Sequence, residues 1–151
     1  MRLGISSDGI MDTSTIISFI SLTGNFLKFV GETLADVKRQ DLANVDAELL
    51  KLKRRVLAEN LEEFKSNLNA AANQEKAKAE QDLISRGLAS SSVRQSSLRA
   101  IENDAAKEVE RATRKYNRAI EEIALIERKL EVQKRPPWWK KVLGWLRPSR
   151  S

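Results

Sequence analysis

The sequence predicts an all-α protein: an elongated helical hairpin or coiled coil of two long helices, with an apolar N-terminal helix and a short amphipathic C-terminal helix. Three observations predict this fold. Alanine, leucine, lysine, arginine and glutamate dominate the 151 residues, and the three prolines all come after residue 135, a composition typical of long helices. Apolar residues recur at three- and four-residue steps along most of the chain. Residues 85–92 combine a glycine with clustered serines, which indicates a break between two helices.

The break at residues 85–92 is predicted to act as a hinge at Gly87 and Ser92. Glycine adopts positive φ without steric cost, which suits the residue just past a helix C-terminus. Ser92 and Gln95 have the spacing of a capping box at the start of the next helix. A nucleophilic serine needs a base beside it, so we interpret this cluster as capping residues.

The composition argues against catalysis. The chain has no histidine and no cysteine, which excludes the usual zinc sites and the Ser–His and Cys–His pairs. The six glycines are scattered rather than arranged as a phosphate-binding loop, and a diiron helix site lacks its Glu-x-x-His set. We therefore predict no enzyme activity, no metal and no cofactor.

The N-terminal part divides into a flexible lead-in, residues 1–12, and an apolar helix, residues 13–33. The lead-in lacks the apolar core and cleavage site of a secretory signal. Residues 13–27 carry no charge, but as a helix they span roughly 22 Å, less than the ~30 Å hydrocarbon core of a bilayer. The helix is expected to lie in a membrane interface, to pack on partners, or to cover the middle of the same molecule; a single span of the bilayer is a further alternative. The membrane-contact residues predicted here are Ile16, Ile17, Phe19 and Ile20.

Residues 34–134 are predicted to form the long helical hairpin. The first long helix is expected over residues 34–84, with an apolar seam whose positions are Leu34, Val37, Leu42, Val45, Leu49, Leu52 and Val56, followed by Leu57, Leu61, Phe64 and Leu68. The second is expected over residues 93–133, with a stripe formed by Leu98, Ile101, Ala105, Val109, Ala112, Tyr116, Ile120, Ile123, Ile126 and Leu130. Its mixed charges are interpreted as a solvated face. Both stripes must be covered, by each other or by neighbouring chains.

Residues 135–151 are predicted to be a basic, tryptophan-rich amphipathic tail. Residues 134–151 contain six basic residues and no acidic one, which matches the formal net charge of +6 for the whole chain. On a helical wheel of ~100° per residue the apolar side chains fill an arc of about 160°. A basic helix edged by tryptophans is typical of a membrane interface with anionic lipid; docking of the tryptophan face on protein is the alternative. The membrane-contact residues predicted here are Trp138, Trp139, Lys140, Lys141, Val142, Leu143, Trp145, Leu146 and Arg147.

The sequence around the break resembles that of a known family. Gly87-Leu88-Ala89-Ser90-Ser91-Ser92-Val93-Arg94 is followed by Ile101-Glu102, Ala105-Ala106 and Lys115-Tyr116-Asn117-Arg118-Ala119-Ile120. These residues are similar to the small internal virion (ejection) proteins of short-tailed bacteriophages, over residues 10–130 in layout and 84–120 by residue type. The resemblance implies an oligomeric helical protein that is stored in the capsid and expelled to help form a DNA conduit through the host envelope.

The sequence thus predicts a self-assembling helical structural protein that contacts a membrane, located in a virion or at a membrane. The expected partners are further copies of the chain and anionic lipid, with other virion proteins and DNA implied by the resemblance. A cellular peripheral membrane scaffold is one alternative. A nucleic-acid-binding coiled coil that uses the basic tail is the other.

Overall fold

The computed structural model describes residues 13–40, 45–88, 90 and 92–133, with side chains from residue 18 onward. The helices in these residues are α1 (Thr13–Arg39), α2 (Ala47–Ser85) and α3 (Ser92–Gln133), about 40, 58 and 63 Å long at ~1.5 Å per residue. The described residues contain no strand, so the all-α prediction is confirmed. The lead-in and the predicted C-terminal amphipathic helix lie outside the described residues.

Each helix packs against the other two. The helices α2 and α3 are antiparallel, because Arg54 pairs with Glu127 towards one end of the bundle and Glu80 pairs with Arg94 towards the other. The helix α1 also runs antiparallel to α2, since residues 18–22 face residues 67–74 and Phe29 faces Asn60. The apolar helix is therefore the third member of a bundle. Of the alternatives for this helix, the structure supports the one in which it covers the long helices of its own chain.

The helix α3 buries the stripe that its periodicity predicts. Ile101, Ala112, Ile123 and Leu130 are buried in the core. The other predicted positions are partly buried; they are Leu98, Ala105, Val109, Tyr116, Ile120 and Ile126. Local periodicity is therefore enough to find the core face of this helix.

The buried stripe of α2 differs from the prediction in its first turns. Its members are Leu50, Leu57, Leu61, Phe64, Leu68, Ala72, Ala79 and Leu83. The ring of Phe64 stacks on Phe26 of α1, with centroids 5.1 Å apart. Leu52 was predicted in the seam but is 51% exposed. The reason is geometric: two residues on from Leu50, a side chain points about 200° away around the helix.

The predicted boundary between the apolar helix and the first long helix is wrong. Instead of ending at residue 33, α1 continues to Arg39, and α2 begins only at Ala47. Asp46 caps the start of α2: its backbone is extended and its side chain accepts a hydrogen bond from the N–H of Glu48, at 3.2 Å. Lys38 and Arg39 lie in the last turn of α1, where cations favour the negative end of the helix dipole.

The hinge at Gly87 has the predicted conformation. Gly87 has φ of +73°, and its N–H donates to the carbonyl of Ile84 at 3.0 Å. The N–H of Leu88 donates to the carbonyl of Leu83 at 2.8 Å, which completes the hydrogen-bond pair of a Schellman motif. Ser92 is the first residue of α3. Ser92 is exposed at the start of this helix, and its capping role stays a prediction.

Replacing Gly87 by alanine is expected to lower the free energy of unfolding by about 1–2 kcal/mol, because a side chain disfavours positive φ. Urea denaturation followed by circular dichroism measures this change. Gly24→Ala is the matched control, because Gly24 lies inside α1 and an added Cβ meets no atom within 4 Å. The control is expected to raise the stability by about 0.5–1 kcal/mol. Equal effects of the two substitutions would contradict the Schellman assignment.

Candidate membrane-contact surface

The N-terminal residues predicted to contact a membrane do not share one face. Phe19 is 1% exposed and belongs to the core, so the assignment of this side chain to a membrane contact is corrected. Ile20 is 47% exposed. Ile16 and Ile17 lie in α1, but their side chains fall outside the described residues. Only Ile20 is thus shown to face solvent among these four.

Two hydroxyls explain how α1 buries polar residues within an apolar face. The side chain of Thr23 donates to the carbonyl of Phe19 at 3.0 Å, and that of Thr33 donates to the carbonyl of Phe29 at 2.9 Å. Both threonines are buried. Because each hydroxyl is satisfied within its own helix, burial carries no penalty for an unpaired polar group. The serine- and threonine-rich α1 can therefore pack as a core helix.

The tail residues predicted to contact a membrane, Trp138 to Arg147, lie outside the described residues. Among the described residues, no helix combines the length and hydropathy that crossing a bilayer requires.

The end of α3 that precedes the tail exposes two large apolar side chains. Leu125 is 53% exposed and Val132 is 60% exposed. Seven residues apart on a helix, they point in nearly the same direction. Leu125 also lines a shallow groove with Val37 and Ile126, between the end of α1 and α3. Neither residue belongs to a surface that the sequence predicts; the available signal is that both fall off the periodic stripe of α3.

Basic side chains occupy the same outer face of α3. We define the α3 outer strip as seven exposed residues that fall within about 60° on a helical wheel: Lys107, Arg111, Arg114, Arg118, Leu125, Lys129 and Val132. Two of its cations have a carboxylate at 3.8 Å on the same helix, Lys107 with Asp104 and Arg114 with Glu110. Ion pairs this long and exposed contribute little, so the strip keeps its positive character.

The outer face of α2 carries charges of both signs, with acidic residues in its middle. Its exposed charged residues towards the middle of the helix are Glu59, Glu62 and Glu63, with Arg55 one turn earlier. Lys65 lies near one of them, with its Nζ 3.2 Å from Glu62. The bundle therefore presents a basic strip on α3 and an acidic cluster in the middle of α2, with exposed Lys51 and Lys78 towards the two ends of α2. Such a charge asymmetry orients a protein in front of a charged surface.

Ion pairs between α2 and α3 join residues that the packed core brings side by side. Lys76 Nζ lies 2.7 Å from Glu102 Oε1, and this hydrogen bond and charge hold the pKa of Glu102 below its usual range. A lowered folded-state pKa stabilises the fold above the unfolded-state pKa. That contribution is lost as the pH falls from about 4.5 through the lowered value. Glu102 is exposed, so the contribution of this pair to the stability of the fold is small.

The described part of the chain offers little for catalysis. A groove of about 240 Å³ between α1 and α2 is lined by Phe26, Phe64, Asn25 and Asn60, among others. Besides amides and rings, its lining includes the carboxylate of Glu63, with no hydroxyl or thiol nucleophile beside it. No cluster of three or more metal-binding side chains occurs among the described residues. The surface feature with a defined chemistry is the α3 outer strip.

The described part of the chain defines a class: an all-α bundle in which α1, α2 and α3 share a core and α3 presents a basic strip. Comparisons with protein families, with curated proteins and with solved structures found no match to this chain. The function is therefore argued from the surface of the bundle and from the tail.

Proposed function

We propose that the protein is a non-enzymatic structural protein that attaches to anionic membranes through its C-terminal tail. The observation that carries this proposal is the order of side chains at the end of α3. Exposed Leu125 and Val132 come first, and residues 134–151, which follow α3, contain all three tryptophans and six basic residues. Tryptophan favours the headgroup region, and lysine and arginine favour anionic lipid.

The energetics of the tail support reversible attachment. Each basic residue close to an anionic leaflet contributes about 1 kcal/mol, and burial of the apolar arc adds a hydrophobic contribution. Ten residues with this pattern lie in the interface rather than across the bilayer. In this proposal α2 and α3 are an elongated hairpin that serves as the stalk, and the hinge at Gly87 lies at the end away from the tail.

Self-assembly is the second part of the proposal. The side chains that we expect to drive it differ from those that the sequence predicts. The sequence predicts assembly because two apolar stripes need covering. In the bundle, α1 and the pairing of α2 with α3 cover those stripes within one chain. What remains to drive assembly is a set of exposed apolar side chains, Ile20, Leu52, Ile84, Leu125 and Val132. Light scattering of the full chain tests this part, since a mass well above 17.1 kDa supports assembly.

We propose that the protein is an ejection protein of a short-tailed phage and that the membrane it contacts is the host envelope. The support is the resemblance of residues 84–120, together with a tail suited to an envelope. Mass spectrometry of purified particles that carry the gene provides the test. Detection of the protein inside the capsid would support this setting, and its presence only in host membranes would favour a cellular scaffold instead.

Tryptophan fluorescence tests the membrane contact directly. Trp138, Trp139 and Trp145 are the only tryptophans, so the emission of the full chain reports on the tail alone. We expect a blue shift when vesicles of phosphatidylcholine and phosphatidylserine are added, because indole rings leave water for the headgroup region. Vesicles of phosphatidylcholine alone are expected to give a much smaller shift. An emission spectrum that does not change at saturating anionic lipid would refute the proposal.

Vesicle sedimentation of a triple variant, Trp138→Ala, Trp139→Ala and Trp145→Ala, shows whether the tryptophans hold the chain on the membrane. We expect most of the sedimentation to be lost. The matched control removes three exposed apolar side chains elsewhere on the bundle, Ile20→Ala, Leu52→Ala and Ile84→Ala, and is expected to sediment normally. Normal sedimentation of the tryptophan variant would remove the tail from the proposal.

A further inference from the structure

We infer that the α3 outer strip is the side of the bundle that lies against the membrane, so that α3 contacts the lipid headgroups along its length. This inference rests on the proposed membrane attachment and adds the orientation of the bundle. Its ligand is an anionic bilayer surface. The strip runs from Lys107 to Val132, about 38 Å along the helix axis.

The strip is free of acidic side chains. Between Lys107 and Val132 no aspartate or glutamate falls within its arc of about 60°; Glu110 and Glu121 border the arc on one side. On the other side Glu122 is neutralised by an ion pair with Lys38 of α1. Arg111 and Arg118 form no ion pair within the described part of the chain, and both are exposed. Their guanidinium groups are therefore available to bind phosphate oxygens in a bidentate manner.

The character of the strip changes along α3 in a way that suits a membrane. Its first half is cationic, from Lys107 to Arg118, and its second half combines Lys129 with exposed Leu125 and Val132. Apolar side chains on a cationic face gain from an interface where hydrocarbon lies just beneath the phosphates. The phosphate backbone of a nucleic acid attracts the cations but gives no apolar contact to Leu125 and Val132. The strip therefore fits a bilayer better than a duplex.

The orientation also follows from the rest of the bundle. The exposed acidic residues Glu59, Glu62 and Glu63 lie on the outer face of α2, and an anionic surface repels them. With the α3 outer strip on the membrane, the C-terminus of α3 at Gln133 brings the tail to the same surface. A single orientation of the bundle thus allows both the α3 outer strip and the tail to contact the membrane.

Charge neutralisation tests the inference. The strip variant is Lys107→Gln, Arg111→Gln, Arg114→Gln and Arg118→Gln. Each cation near an anionic surface increases the partition coefficient about fivefold, and salt screens part of this effect. We therefore expect the variant to bind anionic vesicles at least about tenfold more weakly. The matched control removes four exposed cations from other faces, Lys28→Gln, Lys51→Gln, Arg55→Gln and Lys78→Gln. We expect this control to bind anionic vesicles at most about threefold more weakly, because only its net charge is lower. Equal losses in the two variants would overturn the inference.

Site-specific labels test the orientation independently of charge. The chain has no cysteine, so Leu125→Cys and Leu52→Cys each carry one thiol for an environment-sensitive bimane label. The two leucines are matched, with exposed fractions of 53% and 51%. On anionic vesicles we expect the label at position 125 to shift to the blue and to lose its quenching by aqueous iodide, and the label at position 52 to keep its solution spectrum. Labels that respond alike would overturn the inference.

Two further measurements separate the possible failures. Wild-type protein that does not bind vesicles refutes the proposed membrane attachment itself. Wild-type protein that binds, with a strip variant that binds equally well, refutes only the orientation. Duplex DNA binding that the strip variant abolishes, while vesicle binding is unchanged, would assign the strip to nucleic acid and overturn the inference.

Discussion

Replacement of Val30 by aspartate is expected to detach α1 from the bundle. Val30 is fully buried in the middle of α1, and an unpaired carboxylate in such a place costs several kcal/mol unless it becomes protonated or moves to water. That cost is a large share of the 5–15 kcal/mol that typically stabilises a domain. Hydrogen exchange measured by mass spectrometry should show loss of protection throughout α1. Light scattering should show larger species, because the stripes of α2 and α3 become exposed.

The control for this substitution is Ile20→Asp, which introduces the same charge on the same helix. Ile20 is 47% exposed, so a carboxylate there stays hydrated and the expected change is within about 1 kcal/mol. If α1 keeps its protection in the Val30→Asp variant, the buried face of α1 does not hold it on the bundle. The three-helix arrangement would then need revision.

Truncation of Leu57 to alanine is expected to lower the free energy of unfolding by about 2–5 kcal/mol. Leu57 is fully buried in the middle of the α2 stripe, and the substitution removes apolar contacts and leaves a cavity. Urea denaturation followed by circular dichroism measures the loss, and the m-value should stay constant if the folded state is otherwise unchanged.

Leu52→Ala provides the matched comparison, five residues earlier on the same helix. Leu52 is 51% exposed, and its truncation is expected to change the stability by less than about 1 kcal/mol. The pair also tests whether Leu52 belongs to the buried seam, in which the sequence places both leucines. The periodicity of the sequence placed Leu52 in the seam, so a larger loss at Leu52 than at Leu57 would favour that seam over the bundle described here.

The sequence predicts the features that depend on neighbouring residues. The hinge at Gly87 follows from glycine's freedom to adopt positive φ, and the buried stripe of α3 follows from its periodicity. The break between Arg39 and Ala47 was missed because residues 40–46, Gln-Asp-Leu-Ala-Asn-Val-Asp, contain neither glycine nor proline. The weaker signals were two basic residues at the end of α1 and Asp46 as a cap for α2.

The candidate membrane-contact surface also has one part that the sequence predicts and one part that depends on how the helices pack. The tail was selected from its segregation of tryptophans and lysines, which is a property of ten consecutive residues, and its part in membrane binding stays a prediction. Leu125 and Val132 were not selected, because a residue off the apolar stripe is exposed only if no other helix covers it. That depends on where α1 packs.

The sequence by itself thus determined the helical class, the hinge and which arc of α3 is apolar, because each is set by residues within a few turns of one another. Only the tertiary structure decided that α1 covers both long helices, that Phe19 and Val30 belong to the core, and which face of α3 is left to solvent. The physical reason is that a side chain is buried only when a second surface packs against it. An apolar stripe shows that a helix needs such a partner surface, and only the packing of distant segments shows which segment provides it.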